Sequence, residues 1–182
     1  MTFIDRTLQS WRMRKAIRHV GSNVRVIDVG AHEGELFERL GSRLKAGFGI
    51  EPLLNARLQR DRYELLPGSF PAVQPVDRNW DAITLLAVLE HVPRADQPAL
   101  AQTCHNLLRT GGRVIITVPS QAVDHVLSVL KFLRLIDGMS LEEHFGFDPE
   151  ETVRVFAEPR FKLAHHERFQ LGLNHLYVFE KC

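Results

Sequence analysis

The chain has 182 residues, of which 45% are apolar and 25% charged, and its formal net charge is +1. These values predict one globular domain with a sizeable core, and the balanced charge argues against nucleic acid or anionic lipid as the main partner. No apolar run is long enough to span a bilayer, and charged residues interrupt the first ten positions, where a signal peptide would be apolar. The two cysteines, Cys104 and Cys182, match no zinc or redox motif and indicate reduced thiols in a cytoplasmic protein.

The first predicted element is a basic amphipathic helix over residues 3–20, which Gly21 would end. Residues 1–20 are therefore separated from a domain over residues 21–182. The helix has two interpretations. It is either a solvated helix packed on the domain, or a helix with a function, as a cap over an active site or a surface for acidic partners.

From residue 21 onward, strands and helices alternate along the sequence. Strands are predicted over residues 24–29, 46–50, 64–66, 81–86 and 113–118, and helices over residues 35–44, 53–63 and 98–108. The pair Gly111 and Gly112 is expected to stop the last of these helices. Such alternation gives parallel strands with right-handed crossovers, so the predicted fold class is α/β with a doubly wound sheet.

The last part of the chain has a different pattern. Asp148 followed by Pro149 predicts a helix start. Residues 161–169 and 174–180 are two predicted strands, and their short connection requires an antiparallel hairpin at the edge of the sheet. Residues 121–147 are apolar on more than one helical face, which is typical of plain core or of a lid with an apolar inner wall.

The first strand runs directly into a short turn over residues 28–34, at the edge where open α/β sheets bind ligands. Gly30 permits a tight turn and a close approach of a ligand, and Gly34 permits close packing of the helix start. A dinucleotide site would need a second glycine where Ala31 and His32 stand, which argues against a nicotinamide oxidoreductase. No P-loop sequence is present either.

Glu51 ends the second predicted strand, about 20 residues beyond the turn, which is the position of a carboxylate that binds ribose hydroxyls. A carboxylate accepts hydrogen bonds and can take both ribose protons. Together the turn and Glu51 predict an adenosine ligand that carries no diphosphate.

Four ordered segments, at residues 26–34, 48–52, 80–92 and 107–113, resemble the motifs of the class I S-adenosylmethionine-dependent methyltransferases. They look like the glycine-rich turn, the acidic end of strand two, the fourth-strand motif and the turn into strand five of that family. The resemblance implies a Rossmann-like, seven-stranded, mostly parallel sheet of order 3-2-1-4-5-7-6 with an antiparallel strand in the C-terminal hairpin. It also implies S-adenosylmethionine as the methyl donor.

The resemblance and the turn chemistry together nominate the cofactor site. Asp28 would orient the turn or the methionine part, Ser69 and Phe70 would lie near the adenine, and Leu86 and Ala87 would lie near the methionyl group. The full predicted cofactor set is Asp28, Gly30, Ala31, Gly34, Glu51, Pro52, Ser69, Phe70, Leu86 and Ala87.

Catalysis is assigned by the same resemblance to Glu90 and His91, which would face the reaction region, with His91 as a candidate general base. No histidine pair has metal-ligand spacing, so no metal is expected. His165 and His19 are interpreted as surface residues.

The acceptor is expected to be a small, partly apolar molecule bound among the N-terminal helix, residues 90–93, residues 119–120 and the predicted lid over residues 121–147. Methyl transfer itself needs alignment and the exclusion of water, and a base only where the acceptor must lose a proton. The alternative is a non-catalytic adenosyl-binding subunit that stabilises another methyltransferase.

Overall fold

The structure is a computed structural model that describes residues 3–120, 148–157 and 159–182. Its strands are β1 Val24–Val29, β2 Leu44–Glu51, β3 Leu58–Gln59, β4 Tyr63–Pro67, β5 Trp80–Leu86, β6 Leu108–Pro119, β7 Phe161–Phe169 and β8 Asn174–Lys181. Its helices are α1 Phe3–Ile17, α2 Glu35–Leu40, α3 Gln97–Leu107 and α4 Glu151–Val155, with short 3-10 turns at Gly41–Arg43 and Leu89–His91. The predicted lid over residues 121–147 lies outside the described residues.

One mixed sheet carries the fold, in the order β3-β4-β2-β1-β5-β6-β8-β7. Strands β4, β2, β1, β5 and β6 are parallel, and β8 runs antiparallel to both β6 and β7. Without the two-residue β3, this order is the predicted 3-2-1-4-5-7-6. The predicted fold class, including the antiparallel C-terminal strand, is therefore confirmed.

Both faces of the sheet are covered, which explains why the central strands are almost continuously apolar. In β1, Val26 packs with α1 and α2 on one face, and Ile27 packs with α3 and Phe156 on the other. Cys104 is buried in the α3 layer and Cys182 is exposed, and neither is in a disulfide.

The predicted helix over residues 53–63 is wrong. The chain instead turns sharply after β2, because the Leu54 nitrogen donates to the Glu51 carbonyl and the Leu53 nitrogen donates to the Glu51 side chain. Leu53 is 84% exposed, so it supplies none of the buried stripe that would stabilise a helix. The segment then forms β3, antiparallel to β4.

Two predicted boundaries also differ. The helix predicted over residues 35–44 ends at Leu40, because Gly41 has φ +53° and the next residues form a 3-10 turn. The glycines at 111 and 112 do not stop α3, which ends at Leu107, four residues before the first of them. They lie inside β6.

Helix α1 is fastened to the domain by side chains rather than by a sheet ladder. The Arg43 guanidinium donates to the carbonyls of Ile17, Val20 and Gly21, at the carboxyl end of α1. The Gln170 amide donates to the Leu8 carbonyl at 2.9 Å. None of the helices within the described residues is long and apolar enough to cross a membrane.

Candidate ligand-binding site

A cavity of about 800 Å³ opens at the carboxyl ends of β1, β2, β4 and β5, with α1 along one side. Ligand pockets in proteins commonly measure about 300–1,000 Å³, so this cavity has the size of a small-molecule or cofactor site. All of the predicted cofactor residues except Gly34 line its wall: Asp28, Gly30, Ala31, Glu51, Pro52, Ser69, Phe70, Leu86 and Ala87.

The turn after β1 is built by hydrogen bonds to the end of β2. The nitrogens of Gly30 and Ala31 both donate to the Ile50 carbonyl, at 2.9 and 3.1 Å. Gly30 has φ +74°, and a Cβ there would come within 2.8 Å of Val88. Since these two nitrogens are engaged inside the protein, they are not free to bind a diphosphate.

Glu51 is the carboxylate that faces the cavity from the end of β2. It is only 8% exposed, and its two oxygens accept from the backbone nitrogens of His32 at 2.9 Å and Leu53 at 3.0 Å. Each carboxylate oxygen has a second lone pair. The side chain is therefore held in one orientation while it keeps acceptor capacity for two neighbouring hydroxyl groups.

Asp28 is a second buried carboxyl on the cavity wall, at the end of β1. Its Oδ1 accepts a hydrogen bond of 2.6 Å from the Thr84 hydroxyl of β5. Burial raises the pKa of Asp28 to about 7, opposed by the Thr84 hydrogen bond and reinforced by the charges of Glu35 and Glu51. A carboxyl with this pKa would become ionised when a cation binds beside it.

The strand-end residues opposite the turn complete a largely apolar wall. Phe70 follows β4 and is 9% exposed. Ala87 follows β5 in the left-handed region at φ +59°, and its nitrogen donates to the Thr117 carbonyl and hydroxyl at 2.9 and 3.1 Å. The hydrogen bonds to β6 hold this unusual backbone in place, as is frequent where a chain lines a ligand site.

Two predicted site residues lie outside the cavity lining. Gly34, at φ +89°, instead allows close packing, since a Cβ there would lie 2.9 Å from the Tyr63 ring. Glu90 is 2% exposed in the wall behind the cavity, and its Oε2 has no hydrogen-bond partner among the described residues. Burial raises the pKa of Glu90 to about 7, against the opposing charge of Arg12.

The residues predicted to surround an acceptor line the cavity only in part. His91, Val92 and Pro93 line it, whereas residues 119–120 do not. The N-terminal helix was also expected here, and α1 contributes Gln9, Arg12 and Met13, which the sequence analysis did not single out. The basic pattern of α1 was visible in the sequence, but it did not show which of its cations faces the cavity.

The sequence matches one protein family, and the structure is similar to solved methyltransferase structures. The profile of a family described as a methyltransferase domain matches residues 3–166. The curated proteins contain no match to the sequence. Among solved structures, a chain of the complex between the Haloferax volcanii Trm112 methyltransferase activator and a methyltransferase superposes with a TM-score of 0.72 at 14% identity, covering 94% of this chain and 89% of that one.

Two further similar structures contain S-adenosylhomocysteine. Magnesium protoporphyrin IX methyltransferase from Synechocystis has a TM-score of 0.68 at 12% identity, covering 100% of this chain and 89% of that one. The 1,6-didemethyltoxoflavin-N1-methyltransferase of Burkholderia thailandensis, which also holds 1,6-didemethyltoxoflavin, has a TM-score of 0.67 at 15% identity, covering 95% and 77%. At these identities the likeness shows the fold.

Proposed function

Because this chain belongs to the methyltransferase domain family, we propose that it transfers a methyl group from S-adenosylmethionine to a small-molecule acceptor. The observation that carries the proposal is the pairing of Glu51 with a turn whose nitrogens are already engaged. A fixed carboxylate suits the ribose hydroxyls, and a turn whose Gly30, Ala31 and His32 nitrogens are engaged suits a ligand that has no diphosphate.

The remaining wall fits the other parts of the cofactor. The adenine would lie against Phe70 and Ser69, on an apolar surface beyond the ribose. Arg12 is the only lysine or arginine among the described residues of the lining, and it suits the carboxylate of the methionine part. Asp28 suits the ammonium or the sulfonium, since a neighbouring cation would hold its carboxyl ionised.

Methyl transfer requires the protein to align the methyl donor and the acceptor. When bound, S-adenosylmethionine would supply a methyl group on a sulfonium, whose carbon would bond to the acceptor atom as its bond to sulfur breaks, with S-adenosylhomocysteine as the leaving group. The chain's contribution is to hold the two reactants in one cavity and to exclude water. His91 lines the acceptor side and is the proposed base for acceptors that lose a proton, and Glu90 is a positioning residue behind it.

The acceptor is proposed to be small and partly apolar, because Val88, Val92 and Pro93 line the space beside His91. A non-catalytic adenosyl-binding subunit is the alternative, and one similar structure comes from a complex with a methyltransferase activator. Both proposals require the cofactor site, but only the first requires methyl transfer.

Cofactor binding is tested by calorimetry with S-adenosylmethionine and S-adenosylhomocysteine on the wild type, Arg12→Gln and Arg14→Gln. Arg14 lies on the same helix but is exposed and outside the cavity lining, so it is the matched control. We expect both ligands to bind, with a loss of affinity for Arg12→Gln alone. No binding of either ligand at millimolar concentration would overturn both proposals.

Catalysis is tested by mass spectrometry of a small-molecule acceptor panel incubated with S-adenosylmethionine. Product formation supports the enzyme, and cofactor binding with no product from any panel member or in the presence of a co-purifying partner favours the subunit. For an acceptor that is found, His91→Gln is expected to lower kcat and to flatten the dependence of kcat on pH, with KM little changed.

A further inference from the structure

Three metal-binding side chains meet on the α1 side of the C-terminal hairpin, outside the cavity lining. His19 lies in the turn that follows α1, and His165 and Glu167 lie on β7. One donor atom from each of the three is within 4.8 Å of the others. The rings of His19 and His165 are in contact, with centroids 4.6 Å apart.

The spacing between His165 and Glu167 leaves room for an ion. The His165 Nε2 and a Glu167 carboxylate oxygen are 4.0 Å apart, which is too far for a hydrogen bond. This buried nitrogen also has no hydrogen-bond partner among the described residues. A metal bound to each ligand at about 2.0–2.2 Å would bridge such a gap after a small side-chain adjustment.

The second oxygen of Glu167 has a partner of its own. It accepts a hydrogen bond of 2.8 Å from the Lys15 ammonium of α1. The carboxylate is therefore held in one orientation, with its other oxygen facing His165.

We infer that His19, His165 and Glu167 form a binding site for a divalent metal of the zinc class, which ties the end of α1 to β7. Two imidazoles and one carboxylate are the ligands that zinc accepts, and water would complete a tetrahedral set. Magnesium and calcium prefer oxygen ligands and would bind weakly. The sequence-based expectation of no metal rested on spacing along the chain, whereas this inference rests on contacts in space.

Lys15 gives the site a distinctive property. Its positive charge lies beside a ligand carboxylate, so it would repel a bound cation as well as orient Glu167. Replacing Lys15 with Met is therefore expected to tighten metal binding. A structural ion-pair cluster without metal affinity would show no such gain.

The test is calorimetry with Zn²⁺, together with the visible absorption of Co²⁺, on the full chain without a histidine tag. We expect one equivalent to bind to the wild type, with at least a tenfold loss in His19→Gln and in His165→Gln. His166→Gln and His32→Gln are the controls. His166 is the neighbour that contacts His175 and Tyr177, and His32 belongs to a second cluster with Glu33 and Glu35.

Far-UV circular dichroism without metal checks that each variant is folded. If one of the two ligand variants fails to fold, the other decides. Absence of stoichiometric binding to the wild type would overturn the site. Binding that survives in His19→Gln and His165→Gln but is lost in His32→Gln would place the ion at the other cluster and would also overturn it.

Discussion

The two sides of the cavity are built by different kinds of interaction. On the strand-end side, backbone hydrogen bonds to Ile50 of β2 fix the turn at Gly30 and Ala31, and the backbone nitrogens of His32 and Leu53 hold the carboxylate of Glu51. On the α1 side, Arg12 and its neighbours depend on a helix fastened by side chains such as Arg43 and Gln170. Backbone ladders are set by strand register, whereas side-chain contacts vary with a single substitution.

This difference suggests a division of roles. A site for a constant ligand benefits from rigid geometry, and a site for a variable ligand benefits from a wall that can change without unfolding the sheet. We therefore expect the strand-end side to govern cofactor affinity and the α1 side to tune it, and the following variants separate the two.

The largest effect is expected from Gly30→Val. A β-branched residue at φ +74° is strained, and its Cβ would come within 2.8 Å of Val88 on the cavity wall. Binding of S-adenosylhomocysteine, measured by calorimetry, should be lost. Gly172→Val is the control, because Gly172 has φ +83° and a Cβ there would have no neighbour within 4 Å. It should lower the melting temperature and leave binding intact, and equal binding losses in both variants would refute the steric argument.

Glu51→Ala should weaken both S-adenosylmethionine and S-adenosylhomocysteine. Hydrogen bonds to a charged group contribute about 1.5–3 kcal/mol, so the affinity should fall about 10–100-fold. Glu64→Ala is the matched control, since Glu64 pairs with Arg57 and does not line the cavity. Unchanged affinity in Glu51→Ala would remove the ribose assignment.

Asp28→Asn removes the charge of the carboxylate and leaves the size of the side chain almost unchanged. The pKa of Asp28 is raised to about 7, so its carboxyl ionises as the pH rises through that value and then attracts a cation. The preference for the sulfonium of S-adenosylmethionine over the neutral thioether of S-adenosylhomocysteine should therefore grow between pH 6 and pH 8. Competition binding across this range should show the growth in the wild type and a flat ratio in Asp28→Asn.

Glu90→Gln removes a buried carboxyl whose charge interacts with Arg12 of α1, and it should have the smallest effect. Burial raises the pKa of Glu90 from 4.5 to about 7, so the folded state holds this proton more tightly than the unfolded chain. The free energy of unfolding should then decrease as the pH rises from about 4.5 to about 7. Urea denaturation at pH 5 and pH 8 should show a shallower decrease in Glu90→Gln, while exposed Glu33→Gln should match the wild type.

The sheet was predictable because the apolar pattern of each strand is visible in its own sequence. The apolar runs of β1, β5 and β6 and the turn at Gly30 follow directly from burial on both faces and from backbone geometry. The segment after Glu51 was not predictable in the same way. Its Arg and Leu residues match a helical period, but hydrogen bonds from Leu53 and Leu54 to Glu51 decide its path.

Prediction of the candidate site was limited in the same way, because residues at strand ends could be assigned but contacts between distant elements could not. Glu51 and Asp28 could be assigned because strand ends converge at one edge of a parallel sheet. The contribution of Arg12 depends on how α1 lies across that edge, and the contact of His19 with His165 joins residues 146 positions apart. Tertiary packing brings such pairs together, and local sequence patterns do not predict these contacts.

The position of β8 has a consequence for how the protein is made. This strand follows β7 in the chain but lies between β6 and β7 in the sheet, where it pairs with both. During vectorial synthesis on the ribosome, β7 therefore emerges before the strand that connects it to the sheet. Until residues 174–181 have been translated, the apolar edge of β6 has no partner strand, so a chaperone that shields exposed edges should engage this nascent chain over that interval.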